Sequence, residues 1–423
     1  MARWKTIARG AAFAGVAALS LAACAGSESS DDATDGGDAA GGSGDGLKIG
    51  TLLPLTGSLA FLGPPEVAGV DLAVQEINEA GGVNGADVEV IHKDSSDTDN
   101  PQIASQSVSD LISDGVGAII GAASSSVSLN VVDDIAAAGV VQISPANTST
   151  ALSGYSDFYF RTAPPDTVQG SALANLILDD GIENLGILLF ADDYATSLRD
   201  VVQGVVEEAG GTITYGTSGD EFQTDAQNFE SIVQDVLATS PDGILIIAFD
   251  QTKAVIPALI GAGYPADQLY LTDGNTADYS ADFEEGTMTG AQGTIPGANP
   301  SEDFAALLES VADGGSLDSF AYGAESYDAT MLAALAAVKG GANDGQTIAD
   351  NMAAVSGATG GTECTGFADC LELLESGEEI FYQSVSGVGP FNEDNDPSSA
   401  YVGVYEYGDD NVQTWVKEVF GEV

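Results

Sequence analysis

From residue 47 onward, strand-like and helix-like segments alternate with little interruption, and that rhythm restricts the chain to a parallel α/β architecture. Residues 47–53 form an apolar run with the length of a buried strand. Residues 66–80 carry Val67, Val70, Val74 and Ile77 on one helical face and are stopped by Gly81-Gly82. Strands follow at 88–92, 118–121 and 140–144, with helices at 102–113 and 129–138. The pattern resumes with strands at 185–190, 212–215, 243–249 and 269–271, and helices at 195–209, 226–238 and 253–262. Repeated βαβ units build parallel sheets covered on both faces. Two runs of them, split near 161–168, predict two doubly wound parallel-sheet lobes. The last third reads as helical at 301–312, 324–338 and 347–355, with strand-like pieces at 381–386 and 401–407. Those helices either complete the first lobe, with the closing strands going to the second, or form a third domain. The first option gives three crossovers, with 47–165 plus 297–383 as lobe 1 and 166–296 plus 384–423 as lobe 2.

Ahead of this body sit Arg3, Lys5 and Arg9, then an apolar run from Ala11 to Leu21. Basic, then apolar, then small residues is the order of a bacterial secretion signal, expected here over 1–23. The run is about half of the roughly 20 residues that a membrane-spanning helix needs. Leu21-Ala22-Ala23-Cys24 resembles the lipobox of bacterial lipoproteins, in which cleavage precedes the cysteine and its thiol is lipidated. Residues 24–46 then form a lipidated Cys24 and an acidic Gly/Ser tether with nothing that packs a core. As a flexible coil such a tether reaches on the order of 25 Å, enough to hold the body clear of a membrane surface.

The chain of 423 residues has 65 Asp and Glu against 10 Lys and Arg, three of them in the leader. Nucleic-acid binding needs cationic patches that displace counterions, and this balance excludes them. It also disfavours phosphate-rich ligands. So acidic a surface fits a high-salt habitat, where ions screen its self-repulsion. Cys364 and Cys370 are the body's cysteines, and outside the cytoplasm they are expected to form a disulfide. Closing so short a loop contributes roughly 2–2.5 kcal/mol in the chain-entropy account. Two cysteines with His92 as the sole histidine fall short of a zinc ligand set; neither a metal nor a cofactor is expected.

Open parallel sheets bind ligands beyond the carboxyl ends of their strands. In the first run those ends are Pro54-Leu55-Thr56-Gly57 with Phe61 and Leu62 beyond, Asp94-Ser95-Ser96, Ala122 to Ser126, and Ser144 to Thr148. In the second they are Asp192-Asp193-Tyr194, Phe249-Asp250 and Thr272-Asp273-Gly274. Hydroxyls and small residues thus face aromatics and carboxylates. Ser125 and Thr148, with free backbone amides and a helix N-terminus, suit a carboxylate. Asp273 suits an ammonium, Tyr194 and Phe249 suit an apolar side chain or a cation over a ring, and Ala122 and Ala123 leave room. Each has a structural alternative: Ser125 as a helix cap, the aromatics as core, Asp273-Gly274 as a turn. Arg161 either clamps a ligand carboxylate or holds the crossover near Pro164.

At these residues the chain resembles the type I solute-binding proteins of ABC transporters, in the branched-chain amino acid and amide branch. The marks are Gly50 to Gly57, the turn Ala80 to Gly85, Gly121 to Ser126, Ser144-Pro145-Ala146-Asn147-Thr148 and Phe160-Arg161-Thr162. The resemblance spans 47 to about 407. It implies the type I periplasmic binding protein fold, with Ser125, Ala146 and Thr148 on the α-carboxylate and ammonium. It also implies Asp273 at the amine, Tyr194 and Phe249 lining the cleft, and Ala123 at the ligand side chain. Two departures stand out. Leu62 replaces a frequent aromatic, and Asp273 replaces a longer glutamate.

The expected function is a lipid-anchored receptor on the outer side of the cell membrane. It closes two lobes over a small amphiphilic ligand, an amino acid or an amide, and presents it, as a monomer, to an ABC permease and ATPase. A ligand-sensing lipoprotein that signals to a partner would carry the same lobes, and amides, urea or short carboxylic acids remain alternative ligands. A secreted hydrolase is disfavoured: His92 has no Gly-x-Ser-x-Gly elbow, and there is no His-Glu-x-x-His, phosphate loop or Gly-x-Gly-x-x-Gly. Adjacent carboxylates such as Asp192 and Asp193 arise by chance among so many acids.

Overall fold

The computed structural model describes residues 46–423. The leader, Cys24 and all of the tether but Gly46 lie outside the described residues. The first sheet takes β1 (Lys48–Leu53), β2 (Glu89–Asp94), β3 (Ala118–Gly121), β4 (Val141–Ser144) and β5 (Tyr159–Arg161) in the order β2-β1-β3-β4-β5. All of its pairings are parallel. Helices α1 (Gly63–Glu79), α2 (Pro101–Asp114) and α3 (Ser125–Ala137) connect them. Local chemistry sets their ends. Pro64 and Pro65 open α1, where a missing N–H costs nothing. Gly115 closes α2 at φ +76°, a left-handed conformation that a side chain resists.

The chain then enters the second lobe with α4 (Asp166–Asp179), β6 (Asn184–Leu189), α5 (Asp193–Glu208), β7 (Thr212–Tyr215), α6 (Glu230–Ala238), β8 (Gly243–Ile247), α7 (Thr252–Gly261), β9 (Leu269–Leu271) and β10 (Gln292–Pro296). It returns to the first lobe with α8 (Glu302–Val311), α9 (Gly323–Gly340), α10 (Gly345–Val355), β11 (Thr362–Cys364), α11 (Gly366–Ser376) and β12 (Ile380–Tyr382). A third crossing leads to β13 (Ser399–Tyr407) and β14 (Gln413–Glu422). The second sheet runs β14-β13-β10-β9-β8-β6-β7 and is parallel except where β13 meets β10 and β14. The result is the α/β fold of two wound lobes with three crossovers, one sheet ending in an antiparallel edge.

Several elements depart from the sequence reading. Strands β5, β10, β14 and β11 and helices α4 and α11 went unforeseen. The first three are short or carry polar residues on a sheet edge, where the alternation that marks a strand is weak. Helix α9, buried almost all round and rich in alanine, packs against α1 and α10. The C-terminal helices therefore join the core of the first lobe rather than forming a third domain. The strand-like piece at 381–386 does not close the second sheet: β12 pairs with β11 beside that core. Residues 384–398, expected in the second lobe, stay with the first. Phe391 packs edge-on against Phe160, with centroids 5.3 Å apart, and Asp396 binds Arg161. The sulfurs of Cys364 and Cys370 are bonded, tying the end of β11 to α11 across a Cα–Cα distance of 5.2 Å.

Candidate functional site

The carboxyl ends of β3 and β4 form the first-lobe wall. Ser124, not Ser125, caps α3: its Oγ accepts from the Val127 amide at 3.4 Å. Ser125 is thereby left at the first turn of the helix, and its buried hydroxyl accepts from the Ser149 amide at 3.3 Å. Ser144 Oγ donates to the Ala122 carbonyl at 2.7 Å and accepts from the Asn147 amide at 2.9 Å, which locks the two strand ends together. Asn147 adds a bond to the Ala123 carbonyl at 2.7 Å.

Behind this wall lies Arg161, fully buried. It binds Asp396 through Nε at 2.6 Å and Nη2 at 3.0 Å, and donates to the carbonyls of Asn147 at 3.2 Å and Ser149 at 2.9 Å. Nη2 also donates to Ser153 Oγ at 2.7 Å, so all five donors are used, two of them on Asp396 and two on the carbonyls flanking Thr148. Arg161 is a structural ion pair and not a ligand clamp.

The second-lobe wall begins at α5, where Asp192 Oδ1 accepts from the Tyr194 amide at 3.0 Å and caps the helix. Tyr194 and Phe249 stack with centroids 5.6 Å apart and planes inclined by 19°. Gly274 makes this possible, because a Cβ there would stand 2.7 Å from the Phe249 ring. Asp273 accepts from Gln169 Nε2 and the Tyr194 hydroxyl on Oδ1, and from the Tyr322 hydroxyl on Oδ2, each at 2.7 Å. Burial raises its carboxyl pKa, and the hydroxyls of Tyr322 and Tyr194 and the Gln169 amide oppose the shift. Asp166, at the start of α4, is pushed up to about 7 by burial, against the pull of nearby Ser197 and Thr148 hydroxyls. Burial likewise raises the phenols of Tyr194 and Tyr322 well above their usual value, so both remain donors.

The two walls close on one small pocket with an interior volume of about 10 Å³, room for about one water molecule. Leu62, Ala123, Ser125, Ala146, Tyr194, Phe249 and Asp273 all line it. Thr148 does not; its hydroxyl is buried without a hydrogen-bond partner, next to Asp166. Ser124 and Gly274, from strand ends named in the sequence but given no ligand role there, also line the pocket, as do Leu59 and Tyr322, which escaped sequence reasoning. Tyr322 precedes α9 at φ +60°, far along the chain from any strand end, so no strand-end signal marks it. No Lys, Arg or His lines this space. Direct bonds join the lobes around it: Ser126 with Asp193 at 3.0 Å, Thr150 with Ser197 at 2.9 Å and Thr224 with Asp99 at 2.7 Å. The lobes therefore stand closed. Among the described residues no group of three or more His, Cys, Asp or Glu is placed to hold a metal, and no helix is long and apolar enough to cross a membrane.

Comparison with known proteins agrees with this geometry. The substrate-binding protein BasB of a chemotactic signal transduction system in Halobacterium salinarum is 27% identical over 389 residues, 87% of this chain and 88% of that protein. The leucine-, isoleucine-, valine-, threonine- and alanine-binding protein of Pseudomonas aeruginosa is 32% identical over 170 residues, 39% of this chain and 44% of its own length. The leucine-binding protein LivK of Thermotoga maritima superposes with a TM-score of 0.72 at 20% identity, over 88% of this chain and 98% of that one. Residues 46–369 match the family model described as periplasmic binding protein, and the chain belongs to that family, with the type I fold.

Proposed function

We propose that this solute-binding protein captures a branched-chain or other apolar amino acid by closing its lobes, anchored outside the cell membrane through Cys24 as the receptor of an ABC importer. The observation that carries the reading is the meeting of Ser125 and Ala146 from one lobe with Tyr194, Phe249 and Asp273 from the other around a single small cavity. In this reading Ser125 and the amides at the start of α3 take the carboxylate, helped by the positive end of the helix. Asp273 takes the ammonium. Tyr194, Phe249, Leu62 and Ala123 wall the side chain. Contacts to both lobes at once favour the closed state, and a permease that reads closure distinguishes loaded from empty receptor. The lobes expected from the sequence, with 384–398 moved to the first, are the moving bodies, and the receptor works as a monomer.

A second reading keeps the ligand and changes the listener: the similarity to a chemotactic substrate-binding protein, over most of both chains, favours a signalling partner instead of a permease. Calorimetric titration with leucine, isoleucine, valine, aromatic amino acids, glutamate and urea at high salt tests the shared core. Micromolar or tighter binding of an aliphatic amino acid, lost in Asp273→Ala, is expected. A folded protein silent toward every amino acid overturns the assignment.

A further inference from the structure

At the mouth of the cleft the lobes meet along a seam of hydroxyls and carboxylates. Ser126 Oγ of the first lobe donates to Asp193 Oδ2 and accepts from the Asp193 amide, both at 3.0 Å. Thr224 of the second lobe donates to Asp99 of the first at 2.7 Å.

Asp192 sits under this seam, 6% exposed. Its Oδ1 caps α5 on the Tyr194 amide, whereas Oδ2 is buried with no hydrogen-bond partner. The hydroxyls of Ser126 and Thr98 face the carboxyl from the first lobe, and Asp193 adds a like charge from the first turn of α5. A buried carboxylate oxygen with no donor is costly, and a neighbouring like charge adds to the cost. When the lobes part, water supplies the donors. While they are closed, a proton removes the charge and turns Oδ2 into a donor toward the Ser126 and Thr98 oxygens. Both of those hydroxyls belong to the other lobe, so the surroundings of Asp192 change with closure. Asp328, by contrast, is buried within the first lobe and takes its donors there, from Tyr382 and Ser386.

We propose that closing the lobes takes up one proton from solvent onto Asp192 Oδ2, so that acidity of the medium favours the closed receptor. The proposal rests on the reading that the lobes open and close, and not on the identity of the ligand. Burial pushes the closed-state carboxyl up to about 6; the Ser126 hydroxyl, the Tyr194 amide and the Thr98 hydroxyl oppose this, and Asp193 reinforces it. With the lobes apart, a hydrated carboxyl returns to its ordinary 3.8. The raised group therefore favours closure in acid, and that help fades as pH rises through about 6. From pH 8 to pH 5 the shift makes closure about tenfold more favourable.

Energy transfer between dyes on Gln102→Cys in α2 and Ser231→Cys in α6 reads the separation of the lobes without any ligand. Both positions are exposed. Cys24→Ser in the full chain confines labelling to them, because Cys364 and Cys370 are bonded to each other. At constant high salt the closed-to-open ratio should rise about tenfold from pH 8 to pH 5 in the labelled parent. It should rise less than about threefold in Asp192→Asn and in Asp192→Ser, both of which keep a sound helix cap. Asp193→Asn, which removes the exposed neighbour, should keep a rise of at least about fivefold. A parent ratio indifferent to pH, or a full rise kept in both Asp192 variants, overturns the proposal. Lobes that close on an amino acid and ignore pH refute it alone; lobes that never move refute the closure reading as well.

Discussion

Replacing Arg161 by Met tests the support behind the binding wall. Arg161 and Asp396 are 0% and 2% exposed, and the guanidinium also satisfies the Asn147 and Ser149 carbonyls. The substitution keeps the stem's volume but leaves Asp396 charged and buried, with Ser153 Oγ at 2.7 Å as its remaining side-chain donor. Breaking a buried pair in this way costs about 3–5 kcal/mol, a large part of the roughly 5–15 kcal/mol that holds a typical domain folded. Arg161→Met/Asp396→Leu should recover more than half of the loss, because replacing both charges by apolar groups is close to neutral. Recovery stays partial, since each carbonyl left unpaired costs about 1–3 kcal/mol. Urea unfolding at fixed high salt is the assay, because guanidinium would itself change the screening of so acidic a protein. A single variant within about 1 kcal/mol of the parent that nonetheless loses all ligand binding would refute the structural role and make Arg161 a ligand clamp.

Two further perturbations probe the cleft. The Asp166 carboxyl titrates near 7 folded against 3.8 unfolded, so the folded state holds the extra proton; its stabilisation is full below pH 3.8 and is lost as pH rises through 7. At about 1.4 kcal/mol per unit the parent should lose up to about 4 kcal/mol from this group between pH 4 and 8, and Asp166→Asn should escape that loss; parallel stability–pH curves would contradict it. Gly274→Ala puts a Cβ 2.7 Å from the Phe249 ring and should cost about 1–3 kcal/mol as overpacking does. It should also weaken amino-acid binding at least tenfold by unstacking Phe249 from Tyr194, and unchanged stability and affinity would show that the ring gives way freely.

What the sequence alone determined is what short-range physics writes into a chain. Buried parallel strands need continuous apolar runs, and their helices need apolar stripes with glycine stops, so β1, β3, β6 and β8 and helices α1, α2, α5 and α6 could be read directly. Strand ends follow from strands, so the segments holding Leu62, Ala123, Ser125, Ala146, Tyr194, Phe249 and Asp273 could be named before any coordinate, and the family resemblance picked these residues out of them. Tertiary structure decided everything that depends on distant segments meeting. Tyr322 reaches Asp273 from 49 positions away, and Arg161 finds Asp396 across 235; neither pairing leaves a local trace. Whether Ser124 or Ser125 capped α3 turned on one backbone dihedral pair. Thr148 drew back from the cavity because Arg161 and Ser144 fix its loop from behind. Local propensity acts over a turn or two, whereas a buried charge settles its partner only once the whole lobe has closed around it.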